Sequence, residues 1–180
     1  MNRREMLGLM AGTLVIPGDL LSVGRTIHQK LRSSAYRVFN AQQRETVGII
    51  AELIIPETDT PGARAARVPE FIDFMLAETA EAEDRQRFLS GLNGVNDRSR
   101  SLFAKDFAAC DKTQQIQILT ALDSEVARLR DVNGEVGKHF FYNMKRLTVV
   151  GYYTSEVGAT AEQHYQVIPG RYEPCYPLAQ

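Results

Sequence analysis

Three histidines, two cysteines and one acidic turn are the places where this chain could carry chemistry. His28, His139 and His164 offer imidazoles, which titrate near neutrality and serve as general bases or metal ligands. They are scattered, and none has a second ligand three or four residues further on, as a helical metal pair would require. His164 could act as a base beside a carboxylate, but the sequence shows no such partner. His139 opens an apolar stretch and reads most simply as a polar residue near a helix start. Glu57, Thr58 and Asp59, between Pro56 and Pro61, could supply oxygens to a hard cation. Capping is the more economical reading, because Thr and Asp side chains bond backbone N–H groups in turns. A catalytic centre built from His139 or His164 with the Glu57/Asp59 turn would make the chain an enzyme in its own right.

The familiar cofactor motifs are missing from the sequence. It holds no Gly-x-Gly-x-x-Gly after a strand for a dinucleotide, no Cys-x-x-Cys-His for covalent haem and no His-Glu-x-x-His for zinc. Gly-x-Ser-x-Gly is absent, and two cysteines are too few for an ordinary iron–sulfur cluster. The sequence therefore assigns no catalytic, cofactor-binding or metal-binding residue to this chain. Cys110 and Cys175 fit an oxidising compartment. Paired with each other, they would close a long loop and gain roughly 4 kcal/mol from chain entropy. Cys175 lies in a Pro-rich tail and could instead bond another subunit, leaving Cys110 as a buried apolar residue.

The N-terminus carries a signal of another kind. Arg3-Arg4 stands directly before a short apolar run, Leu7 to Ile16, which Pro17, Gly18 and Asp19 end. That is the arrangement of a bacterial twin-arginine export signal, and the run is well short of the about 20 residues a membrane helix needs. The twin-arginine route carries folded proteins, commonly ones built around a cofactor. Ser22-Val23-Gly24 is a small-x-small triplet that would make Arg25 the mature N-terminus; an uncleaved anchor or a buried N-terminal helix are the alternatives. The domain division is thus a signal segment over 1–24 and a single domain over 25–180.

Composition agrees with one ordinary soluble domain: 180 residues, 44% hydrophobic, 24% charged. A net charge of −1 gives no pull toward nucleic acid or an anionic membrane. Asn40 is placed to cap a helix over Gln42 to Ile54, with Val47, Ile50, Ala51 and Ile54 on one face. Pro69 can open the next helix. A third is expected from Asp84 to Phe107, with Phe88, Leu92, Val95 and Leu102 inside and a bend or break near Asn93 between Gly91 and Gly94. Lys112 to Arg130 is the cleanest amphipathic stretch, and Asn133-Gly134 stops it. The last helix, Val136 to Tyr153, carries Phe140, Met144, Leu147 and Gly151 on a stripe. From Gly158 on, prolines, glycines and tyrosines replace periodicity. The fold class is all-α, a single small domain of about five helices with an irregular C-terminal tail. Tyr152 and Tyr153 follow the last apolar face with Thr154, Ser155 and Glu156; such amphipathic rings suit either a partner interface or an internal seam.

The stretch Ile54-Ile55-Pro56-Glu57-Thr58-Asp59-Thr60-Pro61-Gly62-Ala63, followed by Val68-Pro69-Glu70-Phe71-Ile72-Asp73, resembles the gluconate 2-dehydrogenase subunit 3 family. So do Leu147 through Thr160, with Gly151-Tyr152-Tyr153-Thr154-Ser155-Glu156-Val157-Gly158 at its centre, and Ile168-Pro169-Gly170-Arg171-Tyr172 with Cys175. The likeness runs in order over nearly the whole mature chain and includes the leader, although Asn2 stands where Ser or Thr is common. The resemblance implies a small non-catalytic subunit of a periplasmic dehydrogenase complex for sugars or sugar acids, peripheral to the inner membrane. Its partner would be a large FAD-dependent subunit of the glucose–methanol–choline oxidoreductase type, often with a multihaem cytochrome c, so FAD belongs to the partner. The small subunit of this family helps the flavoprotein to mature and to cross the membrane. Arg3 and Arg4 would then export both chains, and Tyr152, Tyr153, Thr154, Ser155, Glu156, Arg171 and Tyr172 are the expected partner contacts. Membrane association would come only through the complex.

Overall fold

Asn40 sets where the first helix begins. Its side chain accepts from the N–H of Gln43 at 2.8 Å, and the Gln43 side chain accepts from the N–H of Asn40 at 3.0 Å. This reciprocal pair satisfies donors that a helix start leaves unbonded. Helix α1 then runs Ala41–Ile54, and Val47, Ile50 and Ala51 are fully buried, as their spacing predicts. The computed structural model describes residues 36–132 and 134–163. The leader with Arg3 and Arg4, His28, His164, and the tail with Arg171, Tyr172 and Cys175 lie outside the described residues. The chain divides into two units, 1–37 and 38–180, and every helix named below belongs to the second.

Four further helices follow: α2 Val68–Glu78 with Pro69 in its first turn, α3 Ala82–Phe103, α4 Lys112–Asp131 and α5 Phe140–Tyr153. Asp111 and Gln114 form a second reciprocal cap at the start of α4. Short 3₁₀ turns at Phe107–Ala109 and Val136–Lys138 and a π-turn at Gly158–Glu162 complete the unit. There is no strand among the described residues, so the domain is all-α. Helix α5 packs against each of the other four. It therefore buries a wide arc, comprising Phe140, Phe141, Met144, Leu147, Thr148, Gly151 and Tyr152.

Three expectations need correction. Helix α3 is unbroken from Ala82 to Phe103, with no break near Asn93, and Phe107 belongs to a separate turn. Gly91 acts by close approach: a Cβ there would overlap the side chain of Phe140, so the glycine lets α5 come in. Leu102 is 55% exposed, and the face is continued inward by Ser99. Beneath that last turn the buried apolar group is Phe107, whose N–H donates to Asn96 Oδ1 at 3.0 Å. Finally, the last helix starts at Phe140 and not at Val136, because His139 is extended and caps it. His139 Nδ1 accepts from the N–H of Phe141 at 3.2 Å, and Asn143 Nδ2 donates to the Gly137 carbonyl at 2.6 Å.

The two glycines of α3 give opposite expectations. Gly91→Ala loses about 1–2 kcal/mol, since crowding against Phe140 outweighs the gain in helix propensity. Gly94→Ala meets open space and gains up to about 1 kcal/mol. Denaturant midpoints of the two variants check this, and a gain at both positions contradicts the close packing of α3 on α5.

Candidate functional site

The acidic turn between α1 and α2 is organised by Glu52, a residue in the last turn of α1. One of its carboxyl oxygens accepts from the N–H of Glu57 at 2.8 Å and the other from the N–H of Arg64 at 2.9 Å. Gly62 lies directly over that carboxylate, and a Cβ at this position would overlap Glu52 Oε1. Within the turn, Thr58 Oγ1 donates to Asp59 Oδ1 at 2.9 Å, and the Thr58 N–H donates to the Thr60 carbonyl at 3.0 Å. Glu57, Thr58 and Asp59 are exposed, and the carboxylate that accepts from backbone N–H groups in this turn is that of Glu52, where Thr58 and Asp59 were expected to do so. Among the described residues no three His, Cys, Asp or Glu side chains gather as a metal site would need.

The C-terminal end of α5 closes on this turn. Tyr152 is 2% exposed, and its hydroxyl donates to the Pro61 carbonyl at 2.9 Å. Gly151 faces Phe71, and a Cβ there would stand 2.6 Å from Phe71 Cδ1. Ser155 Oγ donates to the Tyr152 carbonyl at 2.6 Å and accepts from the Gly158 N–H at 3.0 Å. Thr60 Oγ1 donates to a Glu162 carboxyl oxygen at 3.2 Å, so the π-turn also returns to the acidic turn. Tyr152 is therefore a correction to the set of expected partner contacts. It lies in an internal seam, and Ser155 has its hydroxyl engaged there as well. Tyr153, Thr154 and Glu156 face outward.

His139 stands at the opposite end of α5 from Tyr152 and the Pro61 turn, about 20 Å away along the helix at 1.5 Å per residue. Its Nε2 is 3.5 Å from Glu125 Oε2, while Glu125 Oε1 accepts from Arg98 Nη2 at 2.8 Å. A centre joining His139 to Glu57 and Asp59 is therefore ruled out by the length of α5. Cys110 is buried and has no disulfide partner among the described residues, and its Sγ lies 3.0 Å from Ser99 Oγ. Arg100 Nε donates to Asp106 Oδ1 at 2.6 Å, and this hydrogen bond, with the attraction of the Asp106 charge, pushes the Arg100 guanidinium above its ordinary value.

Two outward features adjoin α5. A cavity of about 420 Å³ opens between the end of α2, the start of α3 and the first half of α5. Met75, Leu76, Phe88, Phe140 and Leu147 give it apolar walls, and Arg87, Lys138 and Arg146 stand at it with Asp84. Beside it, the outer face of α5 exposes Val149 at 43%, Val150 at 43% and Tyr153 at 38%. Glu52, Asn96 and Gln115 were invisible to sequence reasoning as structural residues. Each bonds backbone several to a dozen residues away, as when Gln115 Nε2 donates to the carbonyls of Phe107 and Cys110, each at 3.1 Å. Periodicity carries no signal for such bonds.

The helical unit thus combines polar groups that hold its corners together with a cleft and an apolar ridge on the outside of α5. The chain belongs to the gluconate 2-dehydrogenase subunit 3 family, whose model matches residues 41–170, from the first residue of α1 into the tail. It is thus a subunit of a multi-subunit dehydrogenase of the gluconate type. No curated protein and no solved structure matches the chain.

Proposed function

We propose that this chain is the non-catalytic escort of a periplasmic FAD-dependent dehydrogenase acting on sugars or sugar acids. It binds the large flavoprotein subunit in the cytoplasm, supports its maturation around FAD, carries it through the twin-arginine route and stabilises it afterwards. Family membership over residues 41–170 is the observation that carries this reading. The leader supports it, because Arg3-Arg4 before a short apolar run is an export address for folded cargo. The outward apolar face of α5 supports it too, since contiguous apolar surface on a small domain marks an interaction site. A multihaem cytochrome c subunit is the further partner that this kind of complex would include.

Changing Arg3 and Arg4 together to lysine tests the reading. The expected result is a flavoprotein retained in the cytoplasm, with periplasmic dehydrogenase activity reduced to that of a strain lacking the small subunit. Cell fractionation and bound FAD per flavoprotein are the measurements. A flavoprotein that is exported and fully loaded with FAD in both strains overturns it.

A further inference from the structure

We propose that the cavity and the outer ridge of α5 form one docking face for an acidic amphipathic segment of the large dehydrogenase subunit. This rests on the escort reading and names the surface and the partner chemistry that the reading leaves open.

The ridge comes from helical geometry. Arg146, Val149, Val150 and Tyr153 are spaced i, i+3, i+4, i+7 and so share one face. The opposite arc of the same two turns, Leu147, Thr148, Gly151 and Tyr152, is buried. The last half of α5 is thus apolar nearly all round, the pattern of a helix buried on both sides. Among the described residues Val149, Val150 and Tyr153 are left exposed on the other side.

The ridge and the cavity are continuous through Arg146, which contributes to both. A cavity of about 420 Å³ is large enough to take a bulky apolar side chain from a partner. Its charge selects the kind of partner. Arg87, Lys138 and Arg146 face it against a single carboxylate, Asp84. Arg87 is engaged by Glu83 and Asp84, and Lys138 by Glu135 at 2.6 Å. Arg146 makes no ion pair or hydrogen bond with its side chain among the described residues. A guanidinium without a partner among the described residues, beside a cleft that mixes polar and apolar walls, is complementary to a carboxylate carried next to an apolar anchor, because Arg binds carboxylates bidentately and keeps its charge. Arg and Tyr are also the side chains that most often dominate protein interfaces. The occupant is therefore a segment that seats an apolar side chain in the cavity, sets a carboxylate on Arg146 and lays apolar residues along Val149, Val150 and Tyr153.

The test is quantitative capture of the large subunit by the full-length tagged chain, with Arg146→Glu, Val150→Asp and Leu102→Asp compared with the unsubstituted protein. Leu102 is exposed on the last turn of α3, outside the proposed face, and serves as the control. Arg146→Glu weakens capture about 100-fold and removes much of its salt dependence, as breaking a charge pair at an interface does. Val150→Asp weakens capture as well, Leu102→Asp leaves it unchanged, and the thermal melts of all three variants match that of the parent. If the parent captures no flavoprotein, the escort reading fails and this face falls with it. If the parent and both face variants capture it equally, the escort reading stands and the docking face alone is overturned. If the variants alter only the oligomeric state of the isolated chain, a second copy covers the ridge, which also overturns the proposal.

Discussion

Tyr152→Ala is expected to destabilise the domain by about 3–4 kcal/mol, whereas Tyr153→Ala changes its stability by less than about 1 kcal/mol. The two residues are adjacent, of one type and in edge-to-face contact, with ring centroids 5.3 Å apart. What separates them is where a helix step of about 100° sends each ring. Tyr152 turns inward to 2% exposure and bonds the Pro61 carbonyl across the fold, so its removal leaves a large cavity and an unbonded carbonyl. Tyr153 turns outward and loses little beyond its contact with Tyr152, worth about 0.5–1 kcal/mol. Tyr152→Phe isolates the hydroxyl and costs about 1 kcal/mol. In thermal melts the alanine variants should separate by about 10 °C for a domain of this size. Capture of the flavoprotein should move the other way, with Tyr153→Ala weakening it while the fold stays intact. Equal destabilisation by the two alanines would place both rings in the internal seam and remove Tyr153 from the ridge.

The helices themselves were largely legible. Val47, Ile50 and Ala51 announce the inner face of α1, Asn40 its cap, and Pro69 the start of α2, because each is a local rule acting within one or two turns. What escaped was set by parts of the chain far apart. Gly91 reads as a helix weakness until Phe140 is seen resting on it. The stripe Phe140, Met144, Leu147 and Gly151 is correct but too narrow. A helix packed against four others buries a second stripe, and Phe141, Thr148 and Tyr152 occupy it. That second stripe decides the candidate site, since it moves Tyr152 inside and leaves Val149, Val150 and Tyr153 outside. The cavity beside Arg146 was not legible at all, because α2, α3 and α5 each contribute to it and no local pattern brings them together. Family membership was legible from the acidic turn and the Gly151 to Gly158 segment, and both fall within the matched residues 41–170.

The second large effect concerns Asp73, an acidic residue in the middle of α2 that is only 1% exposed. Its Oδ1 accepts from the N–H groups of Val38 and Phe39 at 3.0 and 2.9 Å. Those two donors lie just before the Asn40 cap, so one carboxyl group fixes how the chain approaches α1. Phe39 is buried and its ring lies 6.2 Å from that of Phe88, which in turn meets Phe140 edge-on at 5.0 Å. Freeing residues 38 and 39 therefore loosens one end of an aromatic row that runs into α5. Asp73→Ala strands one buried and one part-buried donor and should cost about 2–4 kcal/mol. Asp73→Asn keeps an acceptor at the same place and should recover more than half of that loss. Urea midpoints give the magnitudes, and amide hydrogen exchange at Val38 and Phe39 gives the location, rising sharply in the alanine variant. Equal destabilisation by Asn and Ala would mean that the two N–H bonds are not what Asp73 contributes. The outcome also bears on the escort reading, because the twin-arginine route selects folded cargo. Asp73→Ala lies away from the α5 ridge, so it should reduce export of the flavoprotein only as far as it unfolds the small subunit. Arg146→Glu should instead reduce flavoprotein export while the small subunit stays folded. Opposite rankings of the two variants in melting temperature and in flavoprotein capture would separate a fold that carries the address from a face that carries the partner.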